Sequence, residues 1–171
     1  MKKQIVIALI VCFASMAHAQ SSGDLPIPLS DPTKRGKLKA HLNYGSITVK
    51  GTARKDVLVR YSSVDEKSSK SSSTKDGLKR ISGGTLDLEV SENSNNVKVQ
   101  SGSWNNKMDL VIEVPTGFDV KVSSYNDGDI LISNIEGEVD ITTYNGESAA
   151  ENISGSVIAT TYNGEIKVTF D

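Results

Sequence analysis

The chain has 171 residues, 23% of them charged and 5% aromatic, with a formal net charge of −2. Without Met1 to Ala19, which read as a secretory signal, 17 basic residues stand against 21 acidic ones, a net charge of −4. That balance argues against a nucleic-acid or anionic-membrane partner recruited by bulk charge.

Lys2 and Lys3 form the charged start of the signal, Ile5 to Ala14 its apolar run, and Ala17-His18-Ala19 a small-x-small cleavage site. The apolar run is shorter than the roughly 20 residues that span a bilayer, so no transmembrane segment is expected. A rival lipoprotein signal would end at Cys12, but Val11 is bulky for the position before such a cysteine. Cys12 is the only cysteine and falls inside the signal, so the mature chain has no disulfide or thiol chemistry, although export permits it. The expectation is an exported protein, in the periplasm, at the cell surface or secreted, after cleavage near Ala19.

Pro26, Pro28 and Pro32 mark residues 20–36 as an extended lead-in. A single domain is expected over 37–171. Leu38, Ala40 and Leu42 alternate along one strand; Ile47 and Val49 follow the turn at Asn43-Tyr44-Gly45, and Val57, Val59 and Tyr61 share the next face. Period two with β-branched residues predicts half-buried strands. Residues 62–84, centred on Lys67-Ser68-Ser69-Lys70-Ser71-Ser72-Ser73, have little to bury and read as a mobile surface loop. Strands resume at Leu86 to Val90, Val97 to Val99 and Met108 to Val114. No helical period appears beyond the signal.

One phrase then occurs three times: Ser124-Tyr125-Asn126-Asp127-Gly128-Asp129, Thr143-Tyr144-Asn145-Gly146-Glu147 and Thr161-Tyr162-Asn163-Gly164-Glu165. Asp127 is an extra residue in the first copy. Val120, Val139 and Val157 lie five places before the tyrosines, and Val122, Ile141 and Ala159 three places before; this face is the expected core. Asn-Gly turns each coil, and Ile130 to Ile132, Ser148 to Ala150 and Ile166 to Val168 form a second strand. A coil of about 18 residues with two strands and two glycine corners predicts a parallel β-solenoid, all-β, with antiparallel strands in the middle of the chain. Its coils are expected to start near Gly45 and run through Val57-Leu58-Val59. Leu131 and Ile158 face outward, which suggests a further sheet over them. Strand edges at the C-terminal end could self-associate.

Pro28-Leu29-Ser30-Asp31-Pro32, Gly45-Ser46-Ile47-Thr48-Val49-Lys50-Gly51, Gly128-Asp129-Ile130 and Tyr162-Asn163-Gly164-Glu165-Ile166 together resemble the bacterial "putative adhesin" family of unknown function. The resemblance covers nearly all of the mature chain. It implies an exported β-solenoid with Asn-Gly-Asp-Ile-like coils and a role in surface adhesion, and it carries no catalytic or binding residues to transfer. Members usually run through further Gly-Asp-Ile coils and a closing strand, so this chain is read as a fragment or truncated form.

Tyr125, Tyr144 and Tyr162 are expected to form an outward ladder whose flat faces could hold a sugar chain, or merely stabilise the sheet. Asp129, Glu147 and Glu165 should stack beside them, as a solvated turn or an oxygen-rich Ca²⁺ site. Trp104, in a polar turn, is either an exposed binding aromatic or folded onto a nearby sheet. His41 is the only histidine after the signal, so Ser-His, Cys-His and His-rich metal chemistry are set aside. No cofactor and no enzymatic activity are expected. The reading is an adhesin-like or envelope-associated scaffold touching a glycan or an envelope protein. The alternatives are a polysaccharide-active enzyme on a β-helix scaffold and a protein-binding component of envelope-stress signalling.

Overall fold

Alternating apolar and polar side chains produce fifteen strands, and no helix, among the described residues. The computed structural model describes residues 20–64, 72–75, 78–83 and 86–171. The expected signal and most of the Ser/Lys-rich centre lie outside the described residues. In chain order the strands are β1 (Gln20–Pro28), β2 (Lys37–Tyr44), β3 (Ile47–Thr52), β4 (Asp56–Val64), β5 (Ser72–Lys75), β6 (Leu78–Gly83), β7 (Leu86–Asn93) and β8 (Asn96–Ser101). They continue with β9 (Met108–Pro115), β10 (Asp119–Asn126), β11 (Ile130–Ile135), β12 (Val139–Asn145), β13 (Ser148–Ile153), β14 (Val157–Asn163) and β15 (Ile166–Phe170).

Two mixed sheets result, ordered β1-β4-β9-β3-β11-β13-β15 and β14-β12-β10-β2-β8-β7-β6-β5. Each of the pairs β8/β9, β2/β3, β10/β11, β12/β13 and β14/β15 places one strand in each sheet. Between these pairs every contact is parallel and nearly all is in register: Val97, Leu38, Val120, Val139 and Val157 form one column. Leu110, Ile47, Ile130, Ser148 and Ile166 form its counterpart in the other sheet. The pair β2/β3 sits between β8/β9 and β10/β11, so stacking order departs from chain order. Antiparallel strands extend one side, β4 and β1 on one sheet and β7, β6 and β5 on the other.

Three expectations are corrected. The segment Val57-Leu58-Val59 does not continue a parallel coil; β4 runs antiparallel to β9, which lies between it and β3. The span 62–84 is not all loop, because 62–64 complete β4 while 72–75 and 78–83 pair as β5 and β6. Sheet hydrogen bonds join backbone groups, so a stretch poor in apolar residues can still extend a sheet. The lead-in at 20–36 is extended, but β1 pairs with β4 along its length, and Leu25, Ile27 and Leu29 enter the core.

Inward side chains from both sheets make one continuous core, in which Leu38, Ile47, Val49, Ile112, Ile130, Ile132 and Ile141 are fully or almost fully buried. Each such side chain contributes about 1.5–3 kcal/mol through burial. Ser124 and Thr143 are also buried, because each hydroxyl donates to a turn carbonyl of the neighbouring pair, Gly45 O at 2.9 Å and Gly128 O at 3.4 Å. At Gly146 (φ 150°) a Cβ would strike the Gly128 carbonyl, which explains the glycine there. Leu131 and Ile158 point outward and are exposed; among the described residues no further sheet covers them.

Candidate functional site

Register brings the repeated tyrosines together. β10, β12 and β14 align residue for residue up to Ser124, Thr143 and Thr161, so Tyr125, Tyr144 and Tyr162 follow in one outward column. Their rings stack at 4.7 Å between centroids, tilted by 8° and 7°. This corrects the expected row of flat faces. Rings stacked along the column turn their faces toward one another and their edges toward solvent. Among the described residues no second ring stacks on Tyr162, and it is 74% exposed against 37% for Tyr144. At the opposite end Trp104 meets Tyr125 edge-on, 5.3 Å between centroids at 79°, while remaining 55% exposed. Trp104 is thus both packed on a neighbouring ring and available.

The acidic row is partly committed to architecture. Asp129 Oδ1 accepts the Glu147 backbone N–H at 2.9 Å, tying one turn to the next. Asp129, Glu147 and Glu165 flank a shallow groove of about 280 Å³ floored by Leu131 and Ala149, with Lys167 beside it. No three acidic, histidine or cysteine side chains converge as a metal-holding group among the described residues. The turn asparagines form their own ladder: Asn163 Nδ2 donates to Asn145 Oδ1 at 2.9 Å, and Asn145 Nδ2 reaches Asn126 Oδ1 at 3.5 Å.

The fold also makes contacts that spacing did not suggest. His41 Nδ1 lies 2.8 Å from Ser123 Oγ, and its Nε2 lies 2.9 Å from Asn43 Oδ1. A Ser-His contact therefore exists. Ser123 sits in a strand paired on both sides, so the surrounding backbone N–H groups serve the ladder. Beside the tyrosine column, Tyr44 is in register with Asn126, one place out of line with Tyr125. Lys107 Nζ lies 5.8 Å above the centre of the Tyr44 ring and 2.8 Å from Asp127 Oδ2. The Asp127 carboxylate raises the Lys107 pKa against the opposing effect of burial. Tyr44, Trp104, Asn126, Asp127, Asn145 and Gly146 line an open groove of about 670 Å³ at this corner. The cues in the sequence to this groove were Trp104 in its polar turn and Asp127, the residue that breaks the repeat.

Among solved structures, the chain is similar to a putative cell adhesion protein from Clostridium sporogenes, with 13% identity and a TM-score of 0.48, over 90% of this chain and 100% of that one. It is also similar to a putative adhesin from Bacteroides fragilis, with 9% identity and a TM-score of 0.31, over 90% of this chain and 98% of that one. No protein-family model and no curated protein matches the chain. Both TM-scores lie below 0.5, so the reading of the site rests on this chain's own residues.

Proposed function

We propose that the chain is an exported, non-enzymatic β-solenoid that acts as an adhesin-like scaffold by surface contact with a glycan. The observation that carries this reading is the exposed aromatic row running from Trp104 through Tyr125 and Tyr144 to Tyr162. Stacked rings hold one another rigid, so the row loses little conformational freedom on contact, and its exposed rings can take the apolar face of a sugar. The in-register parallel pairing of five strand pairs supports the solenoid description. The charged start, apolar run and small-x-small site within residues 1–19 support export. No helix among the described residues is long and apolar enough to cross a membrane.

The test is a glycan array probed with the purified chain, then with a variant carrying both Trp104→Ala and Tyr162→Ala. The expected result is retention of at least one glycan class by the native chain and its loss in the double variant. If the native chain retains no glycan, or if the double variant binds unchanged, the reading fails. Turnover of a polysaccharide, abolished by one carboxylate substitution, would instead make the chain an enzyme.

A further inference from the structure

The repeat explains most of the residues it contains, so its departures are informative. Three of them meet at one corner. The connection between β8 and β9 spans residues 102–107, whereas the β12–β13 and β14–β15 corners need only Gly146-Glu147 and Gly164-Glu165. This long connection delivers Trp104 and Lys107. Tyr44 lies one register place away from the tyrosine column, opposite Asn126. Asp127, the inserted residue, holds a left-handed backbone at φ 45°, which an aspartate adopts at a cost, whereas the later copies place their positive φ on Gly146 and Gly164. All three departures converge on the groove of about 670 Å³, inside the roughly 300–1,000 Å³ typical of small-ligand sites.

We infer that this corner groove is the glycan-binding site and that it takes a neutral, hydroxyl-rich sugar unit. The inference rests on the glycan reading above and moves the contact from the open Tyr162 end of the row to its Trp104 end. The chemistry of the groove selects the ligand. Trp104, 55% exposed, offers aromatic surface for the C–H face of a sugar ring. Asn126 and Asp127 both line the groove, so an amide and a carboxylate stand side by side at its wall. Paired hydroxyls on a sugar are matched by one amide and one carboxylate side by side. A cationic ligand fits poorly, because Lys107 already occupies both the Asp127 carboxylate and the Tyr44 ring. An anionic sugar would meet a lysine whose charge Asp127 has already balanced.

The experiment measures binding of the full chain to neutral gluco-, galacto- and manno-oligosaccharides, with uronic-acid oligosaccharides as a separate arm. It compares Trp104→Ala, Asp127→Gly and Tyr162→Ala. Asp127→Gly is chosen because it removes the carboxylate while relieving the left-handed backbone, so the variant should melt no lower than the native chain. The expected result is a loss of affinity of roughly tenfold or more in Trp104→Ala and in Asp127→Gly, with Tyr162→Ala unchanged. Loss confined to Tyr162→Ala overturns the groove and leaves the glycan reading standing. Binding of the uronic-acid arm alone overturns the neutral-sugar assignment. Binding to no oligosaccharide overturns both.

Discussion

In residues 119–171 the five strands after β10 repeat a pattern, and neighbouring strands are joined by side-chain ladders 18 or 19 residues apart in the chain. Several of those ladders are neutral, amide to amide at Asn126, Asn145 and Asn163 and again at Asn134 and Asn152, beside one ion pair at the same spacing, Lys121 with Asp140. In residues 20–115 most side-chain links between strands join residues 36 to 64 apart and are largely charged, some of them braced by a local partner. Arg60 joins Asp24 to Glu113, Arg54 joins Asp56 to Glu113, and Glu92 accepts from Ser30 and from the Asn95 backbone. Asn95, buried and at φ 61°, binds Asp31 and Lys34 through its side chain. The difference teaches that stacked identical residues can satisfy each other, whereas unlike neighbours need complementary groups.

The largest expected effect tests whether the two regions share a core. Ile112 and Ile141 are buried in one cluster, one in each region. Replacing either by alanine should cost about 2–5 kcal/mol in urea unfolding, within a single transition. Two separable transitions would show that the halves unfold independently and would break the comparison.

A smaller effect should separate the tight corners from the loose ones. Gly146→Ala meets a strained φ and the Gly128 carbonyl, and should cost about 1–3 kcal/mol. Gly117, at the junction of the two regions, has open space where a Cβ would point, with no atom within 4 Å. Gly117→Ala should therefore change stability by less than about 1 kcal/mol. Equal losses at both would mean that close backbone stacking is not what distinguishes the repeat.

The smallest effect concerns pH. Hydrogen bonds from the Thr33 side chain, then from Lys34, hold the Asp31 carboxyl at about 2 rather than its ordinary 3.8. A depressed carboxyl contributes stability that is complete above 3.8 and is lost as pH falls toward 2. The exposed site makes the contribution small. Titration followed by carbon NMR should place the Asp31 midpoint near 2, and Thr33→Ala should move it back toward 3.8. The amide ladders of the repeat should show no change over that range. An Asp31 midpoint near 3.8 in the native chain would remove this part of the contrast.

Much of the repeat was legible, because a period of two assigns each side chain to a sheet face and a period near 18 sets one strand over the next. Val120, Val139 and Val157 illustrate both. Ring orientation was not legible: the period places Tyr144 outside but does not say that its faces meet Tyr125 and Tyr162. Nor was the position of β2/β3. Leu38-Lys39-Ala40 pairs with Val97-Lys98-Val99 and with Val120-Lys121-Val122, and each is a generic alternation that could pair with any of the others. The corner groove was hidden for the same reason, since Tyr44, Trp104 and Asp127 meet only once that pairing is made.

The placement of β2/β3 between later strands has a kinetic consequence. His41 meets Ser123 across 82 residues, whereas the asparagine ladder closes over 18. Loop-closure entropy makes the longer contact costlier by about 1.3 kcal/mol before any packing is gained. β2 and β3 emerge early, directly after β1, but must wait for β8/β9 on one side and β10/β11 on the other. Once those contacts form, each later pair adds to a finished template over a short loop. Folding should therefore be limited by the long closures around β2/β3, with the tyrosine repeats zipping up afterwards.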